Sequence, residues 1–296
     1  MEKMKGMEGF FTACVTPYDA QGEVNPQALT QLMSRNLDEG AAGFLVGGSS
    51  GEAPLLTKEE KIRMLETAAA HPRRAEMKLI GACSAFSLRE ATEFARLCRD
   101  LGYDATITTA PYYYKFGMKG IAGFLRSIRE SVDLPLFFYN FPGNTGVEID
   151  LNDPSIKGVL TDGTLAGVKQ TSLNLHQIER MLDLNPALSV FGGYDEVYIG
   201  ARIMGACGAI GSTYNFTLPL FTKIEAAYQA RDLETAQALQ HRANRIMQAL
   251  VDCALFPSIK HMLRVTGIDC GECREPFARL TDEQKAYVER VVRENL

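Results

Sequence analysis

The chain has 296 residues, of which 46% are hydrophobic and 23% are charged. This composition fits one large single-core domain, although two domains remain an alternative. The formal net charge of -5 comes from acidic and basic residues that are interspersed along the chain. Such a pattern offers no basic surface for nucleic acid or an anionic membrane, so small molecules are the expected partners.

The N-terminal ten residues lack the apolar run of a signal peptide, and no later apolar segment approaches the roughly 20 residues of a membrane span. We therefore expect a cytoplasmic protein whose seven cysteines are reduced. Cys270 and Cys273 have the spacing of half a zinc site, but no second cysteine or histidine pair completes four ligands. Neither a metal nor a cofactor is predicted.

Short apolar runs alternate with amphipathic stretches as far as residue 211, a pattern that is typical of βα units on a parallel sheet. The predicted strands are Phe11 to Val15, Gly43 to Val46, Lys78 to Cys83, Ala105 to Thr108, Leu136 to Asn140, Leu165 to Lys169, Leu188 to Phe191 and Gly208 to Ile210. The predicted helices between them include Pro26 to Glu39, Lys58 to Ala70, Leu88 to Leu101, Lys119 to Val132, Leu173 to Leu182 and Glu196 to Met204, with Thr57 and Ser87 as N-caps.

Eight strands that alternate with helices indicate an α/β fold, a closed (β/α)8 TIM barrel. A doubly wound open sheet is the alternative, but Thr16-Pro17-Tyr18 follows the first strand where a dinucleotide-binding sheet would carry a GxGxxG turn. Beyond the barrel, helices are predicted over 223–231, 233–251, 258–265 and 282–294. We therefore expect a barrel over residues 1–216 and a C-terminal helical extension over 217–296.

Polar residues at the ends of the predicted strands are the candidates for chemistry, because the active site of such a barrel lies at the C-terminal ends of its strands. Lys169 closes the sixth strand, where desolvation would favour a neutral, nucleophilic amine; a solvated or ion-paired lysine is the alternative. Tyr139 stands at the equivalent point of the fifth strand, where it could transfer protons or simply cap the barrel.

Other strand-end loops carry weaker signals. The loop Gly47-Gly48-Ser49-Ser50-Gly51-Glu52 could form an anion-binding nest or an ordinary βα turn. Asp195 and Glu196 could accept hydrogen bonds from substrate hydroxyls, or Asp195 could cap a helix. The cluster Tyr112-Tyr113-Tyr114 is more typical of packing or an interface, and the segment 211–215 adds further hydroxyls.

Taken together, these segments resemble the N-acetylneuraminate lyase and dihydrodipicolinate synthase family of pyruvate-dependent aldolases over nearly the whole chain. GGSSGE at 47–52, YNFP at 139–142 and VKQTS at 168–172 are similar to the family's pyruvate-carboxylate loop, its tyrosine segment and its Schiff-base lysine segment. KQTS, GYDE at 193–196 and GSTYN at 211–215 are similar to the bacterial sialic acid lyase branch.

The resemblance implies a role for each candidate. Lys169 would form the imine with a 2-oxo acid, Tyr139 would carry the proton with Ser49 and Tyr113 as a relay, and Ser49 and Ser50 would hold the pyruvate carboxylate. Tyr113 would reach the site of a neighbouring subunit in a homotetramer. The residues that would bind the polyhydroxylated part of the substrate are Thr171, Gly193, Asp195, Glu196 and Ser212.

The implied reaction is the cleavage of a 4-hydroxy-2-oxo sugar acid such as N-acetylneuraminate to pyruvate and an aldehyde such as N-acetylmannosamine. Two departures concern the substrate. Ser50 stands where the family usually has threonine, and the segment 142–146 reads Pro-Gly-Asn-Thr-Gly where the sialic acid lyases typically carry Pro-Ala-Leu-Ser-Gly. The alternatives are therefore dihydrodipicolinate synthase, a 2-keto-3-deoxy sugar acid aldolase or dehydratase, and a non-catalytic binding protein that retains the barrel.

Overall fold

The computed structural model describes residues 4–296 of the chain. Within this range the strands pair in sequence order, from β1 to β8, into a closed barrel. They are β1 (Gly9–Ala13), β2 (Gly43–Val46), β3 (Lys78–Ala82), β4 (Ala105–Thr109), β5 (Leu136–Asn140), β6 (Gly167–Gln170), β7 (Ser189–Gly192) and β8 (Gly208–Gly211). The predicted (β/α)8 barrel is confirmed, and the open doubly wound sheet is excluded.

The helices that alternate with the strands are α1 (Pro26–Asp38), α2 (Lys58–Ala69), α3 (Leu88–Asp100), α4 (Met118–Ser131), α5 (Pro142–Thr145), α6 (Pro154–Thr161), α7 (His176–Leu184) and α8 (Tyr198–Ile203). After β8 follow α9 (Tyr214–Gln229), α10 (Leu233–Cys253), α11 (Leu255–Val265) and α12 (Asp282–Asn295). Thr57 and Ser87 cap α2 and α3 as predicted, because their side chains accept hydrogen bonds from the third-residue amides of those helices.

Three elements differ from the prediction in an informative way. Helix α6 was not predicted because it is only eight residues long, although Asp153 caps it. Helix α9 begins at Tyr214, nine residues before the predicted segment 223–231, and it continues through Pro219. Strand β6 begins later than predicted because the amide of Leu165 donates to the carbonyl of Val159 in α6, at 3.2 Å, instead of joining the sheet.

The contacts of the chain group into two compact units. The first contains residues 78–210 together with residues 4–9, and the second contains residues 10–77 and 211–296. In the first unit, strands β3 to β8 pair side by side in parallel, and Phe137, Val168 and Phe191 are fully buried among them. In the second unit, β1 pairs with β2 in parallel. The barrel and extension boundary at residue 216 stays a prediction.

Neither a membrane span nor a metal cluster is found among residues 4–296. None of the helices there has both the length and the apolar character that crossing a bilayer requires. No group of three histidine, cysteine or carboxylate side chains in this range could hold a metal ion. The thiols of Cys270 and Cys273 are free, and burial raises the pKa of each to about 12.

Candidate active site

Lys169 lies inside β6 with its side chain buried. Only 4% of the residue is exposed, and within residues 4–296 its amine forms no salt bridge. The strand can lie this close to its neighbours because residue 167 is glycine: a Cβ there would come within 2.1 Å of the Ser189 carbonyl oxygen and 2.3 Å of the Phe137 ring. The alternative of a solvated or ion-paired lysine beyond the strand end is wrong.

Tyr139 is the register partner of Lys169 on the adjacent strand β5. The Lys169 Nζ atom lies 4.2 Å from the centroid of the Tyr139 ring. This places the amine against the negative face of the aromatic system, where a cation is stabilised by about 0.5–2 kcal/mol. The two residues that the sequence places at neighbouring strand ends are thus in direct contact.

The Tyr139 ring also belongs to a row of three aromatic side chains. It stacks on Phe141 with centroids 5.3 Å apart and an angle of 13° between planes, and Phe141 meets Tyr194 edge-on at 6.2 Å. Burial, and then the nearby Glu196 and Tyr139, raise the pKa of the Tyr194 hydroxyl. Sequence reasoning did not single out Tyr194, although it lies within the GYDE segment.

Thr171 and Gly193 lie side by side after β6 and β7. Thr171 is 3% exposed, and its Oγ1 has no hydrogen-bond partner within residues 4–296. A Cβ on Gly193 would lie 1.8 Å from that Oγ1 and 3.0 Å from the Thr171 Cα, so only glycine leaves the hydroxyl its room. Because buried hydroxyls in native proteins are almost always paired, a bound ligand is the natural partner for this one.

Asp195 and Glu196 belong to a single 3-10 turn, Asp195–Val197. Asp195 is buried, whereas Glu196 is half-buried. The residues at the N-caps of this turn and of α8 are Tyr194 and Val197, and neither caps its helix through its side chain. The choice between substrate binding and helix capping by Asp195 stays a prediction.

Tyr113 lies in an exposed aromatic cluster in the segment between β4 and α4. It is 77% exposed, and its ring makes edge contacts with Phe86 at 6.5 Å and with Tyr114 at 5.1 Å. Phe116 extends the cluster through Tyr114. Exposed apolar surface of this kind marks an interaction site more often than a free surface.

The serine loop, residues 47–52, belongs to the second unit. Ser49–Gly51 form one 3-10 turn in which Ser50 is buried and Ser49 is half-buried. The hydroxyl of Thr16 donates to the Gly51 carbonyl at 2.6 Å, and a Cβ on Gly51 would lie 3.1 Å from that hydroxyl. The turn is therefore held against the segment that follows β1, and a side chain at residue 51 would require its neighbours to shift slightly.

Glu52 closes the serine loop in the left-handed conformation, with φ at 56°. Its carboxylate accepts the Arg274 amide at 2.8 Å and lies 2.7 Å from the Lys260 Nζ atom. Both side chains of the Glu52–Lys260 pair are at most 1% exposed, and the Lys260 amine lies 4.1 Å from the centroid of the Tyr18 ring. No local pattern reveals this pair, because its members are far apart in sequence.

Ser212, also in the second unit, directly follows β8 and is half-buried. Its carbonyl accepts a hydrogen bond from the Asn215 side chain at 2.6 Å, and the same amide nitrogen donates to the Ala13 carbonyl at 2.8 Å. Asn215 therefore fixes the backbone that carries Ser212.

Known proteins resemble this chain over nearly its full length, in sequence and in fold. An N-acetylneuraminate lyase of Clostridium perfringens is 34% identical over 286 residues, which cover 96% of this chain and 98% of that protein. A Clostridium difficile protein, CdNal, solved in complex with mannosamine, superimposes with a TM-score of 0.93 at 33% identity and covers 98% of this chain and 99% of its own.

A catalytic lysine mutant of the Ruminococcus gnavus sialic acid aldolase superimposes with a TM-score of 0.94 at 25% identity, covering 99% of this chain and 97% of its own. These relatives are lyases, as the sequence led us to expect. The model of the dihydrodipicolinate synthetase family matches residues 6–295. The chain therefore belongs to the dihydrodipicolinate synthetase family.

Proposed function

We propose that this protein is a pyruvate-dependent class I aldolase that cleaves N-acetylneuraminate, or a closely similar 4-hydroxy-2-oxo sugar acid, through an imine on Lys169. The observation that carries the proposal is the buried Lys169 amine, without a salt bridge in residues 4–296, against the ring of Tyr139. An imine that forms there becomes a cation when it is protonated, and the aromatic face stabilises that cation. The N-acetylneuraminate lyases among the relatives support the choice of substrate.

The proposed reaction passes through an imine and an enamine on Lys169. The neutral Lys169 amine attacks the C2 carbonyl carbon of the open-chain substrate, and uptake of one proton with loss of water gives the protonated imine; this proton is returned when the imine is hydrolysed at the end of the cycle. A base removes the proton of the C4 hydroxyl, the C3–C4 bond breaks, and its electron pair moves into the imine to give an enamine. The aldehyde leaves, C3 takes up a proton, and water hydrolyses the imine to release pyruvate and the free amine.

Tyr139 is the residue that we assign to proton transfer, because its hydroxyl-bearing ring is in contact with the Lys169 side chain. Ser49 and Ser50 would hold the pyruvate carboxylate, with Ser49 and Tyr113 completing the proton relay. The exposed cluster around Tyr113 is consistent with its contributing to the site of a neighbouring subunit in a homotetramer. A cytoplasmic location completes this proposal.

Substrate hydroxyls would be recognised by Thr171, Asp195, Glu196 and Ser212, with Gly193 supplying space. Support comes from the Thr171 hydroxyl, which is buried without a hydrogen-bond partner in residues 4–296. A site of this kind selects strongly for a ligand that can pair with the hydroxyl, because a ligand that cannot would leave it unpaired.

The test is reductive trapping. Incubation with pyruvate and borohydride should add one pyruvate-derived group per chain, and peptide mass mapping should place the group on Lys169. Lys260 is the internal control, since it is an equally buried lysine that the mechanism does not use. Wild-type protein that stays unmodified, or that is modified on Lys260 instead, would refute the mechanism.

A second candidate function retains the imine and changes the aldehyde. The segment 142–146 favours this second function, because α5 carries Pro-Gly-Asn-Thr where the sialic acid lyases typically carry other residues. Within this segment, Gly143 lies close to Tyr194. Pyruvate release from N-acetylneuraminate and from a panel of 2-keto-3-deoxy sugar acids should be compared by kcat/KM. The substrate with the highest kcat/KM decides between the two candidates.

A further inference from the structure

Two buried amide side chains accompany the Lys169 and Tyr139 pair. Asn140 and Gln170 are the next residues along β5 and β6, and they are themselves register partners. Because successive side chains of a strand point to opposite faces, these amides lie on the face away from Lys169 and Tyr139. The Asn140 Nδ2 atom donates to the Gln170 Oε1 atom at 2.8 Å.

A third amide, Gln177 on α7, completes the group. The Gln170 Nε2 atom donates to the Gln177 Oε1 atom at 2.8 Å, and the Gln177 Nε2 atom donates to the Ile149 carbonyl at 3.1 Å. Asn140 Nδ2 also approaches the Gln177 Oε1 atom, at 3.4 Å. We refer to Asn140, Gln170 and Gln177 as the amide cluster; all three residues are buried.

The amide cluster is a costly way to fill a core. Apolar side chains of similar volume would pack there without the desolvation penalty of amides, which is about 1–3 kcal/mol for each group left unpaired. One such group is present, because the Asn140 Oδ1 atom has no hydrogen-bond partner within residues 4–296. In return, the cluster supplies directional hydrogen bonds. These bonds are satisfied in only one arrangement of the neighbouring side chains, so they make the local structure rigid.

The backbone of the same residues holds the next part of the site. The Asn140 carbonyl accepts the Thr171 amide at 2.9 Å, and the Gln170 carbonyl accepts the Gly193 amide at 2.8 Å. A shift of either strand end would therefore move Thr171 and Gly193 together with Lys169 and Tyr139.

We infer that the amide cluster is a positioning device for the reaction: by tying the ends of β5 and β6 to each other and to α7, it sets the placement of the Lys169 amine relative to Tyr139. This inference rests on the proposed function. None of the three amides touches the reacting atoms, so they are positioning residues. Reaction rates depend steeply on such placement, since an error of about 1 Å can cost roughly 100-fold.

The test replaces Gln177 with methionine, which has a similar volume and no amide. We expect kcat for pyruvate release to fall about tenfold or more, with KM changed by less than about threefold. The rate of borohydride trapping at saturating pyruvate should fall in parallel, while the final extent of labelling stays complete. Gln240→Met is the matched control, because Gln240 is an equally buried glutamine on α10 whose amide donates to Asn244 at 2.8 Å.

A second variant separates positioning from stability. In the triple variant Asn140→Leu, Gln170→Met, Gln177→Met no amide of the cluster remains unpaired, so we expect the melting temperature to recover relative to Gln177→Met while kcat stays low. Recovery of kcat together with stability would overturn the inference, as would a wild-type kcat in Gln177→Met or an equal loss in Gln240→Met. Wild-type protein without a Lys169 adduct refutes the proposed function instead, so the two failures are distinguishable.

Discussion

Removing the positive charge from the buried Glu52–Lys260 pair should be severely destabilising. Lys260→Met keeps most of the side-chain volume but leaves the Glu52 carboxylate, which is fully buried, with the Arg274 amide at 2.8 Å and the Cys273 thiol as hydrogen-bond partners and no neighbouring ammonium group. Breaking one side of a buried pair typically costs about 3–5 kcal/mol, because the other charge stays in a medium that solvates it poorly. For a large domain this corresponds to a melting temperature lower by roughly 6–20 °C.

The assay is thermal and urea unfolding of three variants. Lys285→Met is the matched control, because Lys285 pairs with a fully exposed Asp282 at 3.0 Å and such surface pairs contribute about 0–1 kcal/mol. The double variant Glu52→Gln, Lys260→Met also removes the unpaired negative charge of the Glu52 carboxylate, so it should be more stable than Lys260→Met alone. Equal stability of Lys260→Met and Lys285→Met, or a double variant no better than the single one, would refute the reasoning.

Three further predictions concern other parts of the molecule. Gly193→Ala should lower the free energy of unfolding by about 1–3 kcal/mol, because its Cβ would collide with Thr171; urea titration measures this, and wild-type stability would contradict it. Thr171→Val removes the hydroxyl that lacks a partner, and should raise KM for the sugar acid without preventing borohydride trapping of pyruvate; an unchanged KM would show that the hydroxyl does not meet the substrate. The hydrogen bond from Arg274 holds the pKa of Glu60 below its usual value of 4.5, so the stability that Glu60 contributes should be complete above pH 4.5 and lost as the pH falls through the lowered pKa. The difference in urea midpoint between wild type and Glu60→Gln should shrink over that interval, and a difference that is independent of pH would rule out this account.

The sequence is most informative where a signal is local. The predicted bounds of β2 and β5 agree with the structure because each is a short apolar run that stops at a polar or glycine residue. The same reasoning placed Tyr139 and Lys169 at adjacent strand ends, since register follows from the order of strands in a closed barrel. The prediction for β6 was displaced because Leu165 is as apolar as a strand residue but bonds to α6.

Interactions between segments that are distant in sequence could not be predicted from the sequence. Nothing near Glu52 in the sequence indicates that a lysine on α11 neutralises it, because burial of a charge is a property of the packed core. Gln177 likewise lies in an amphipathic helix pattern that gives no reason to distinguish it from a surface glutamine. Its role becomes visible only when its hydrogen bond to Gln170 is seen.

The close approach of Gly143 to Tyr194 has a consequence for anyone who wishes to redirect this enzyme to new aldehydes. A Cβ at position 143 would lie 3.3 Å from the Tyr194 hydroxyl, closer than side chains ordinarily come. A side chain at position 143 therefore requires a small shift of Tyr194, which also contacts Phe141, so a library that diversifies the 142–146 segment alone should contain fewer active clones than one that varies position 194 as well. Positions 143 and 194 should be randomised together, so that the two can adjust to each other.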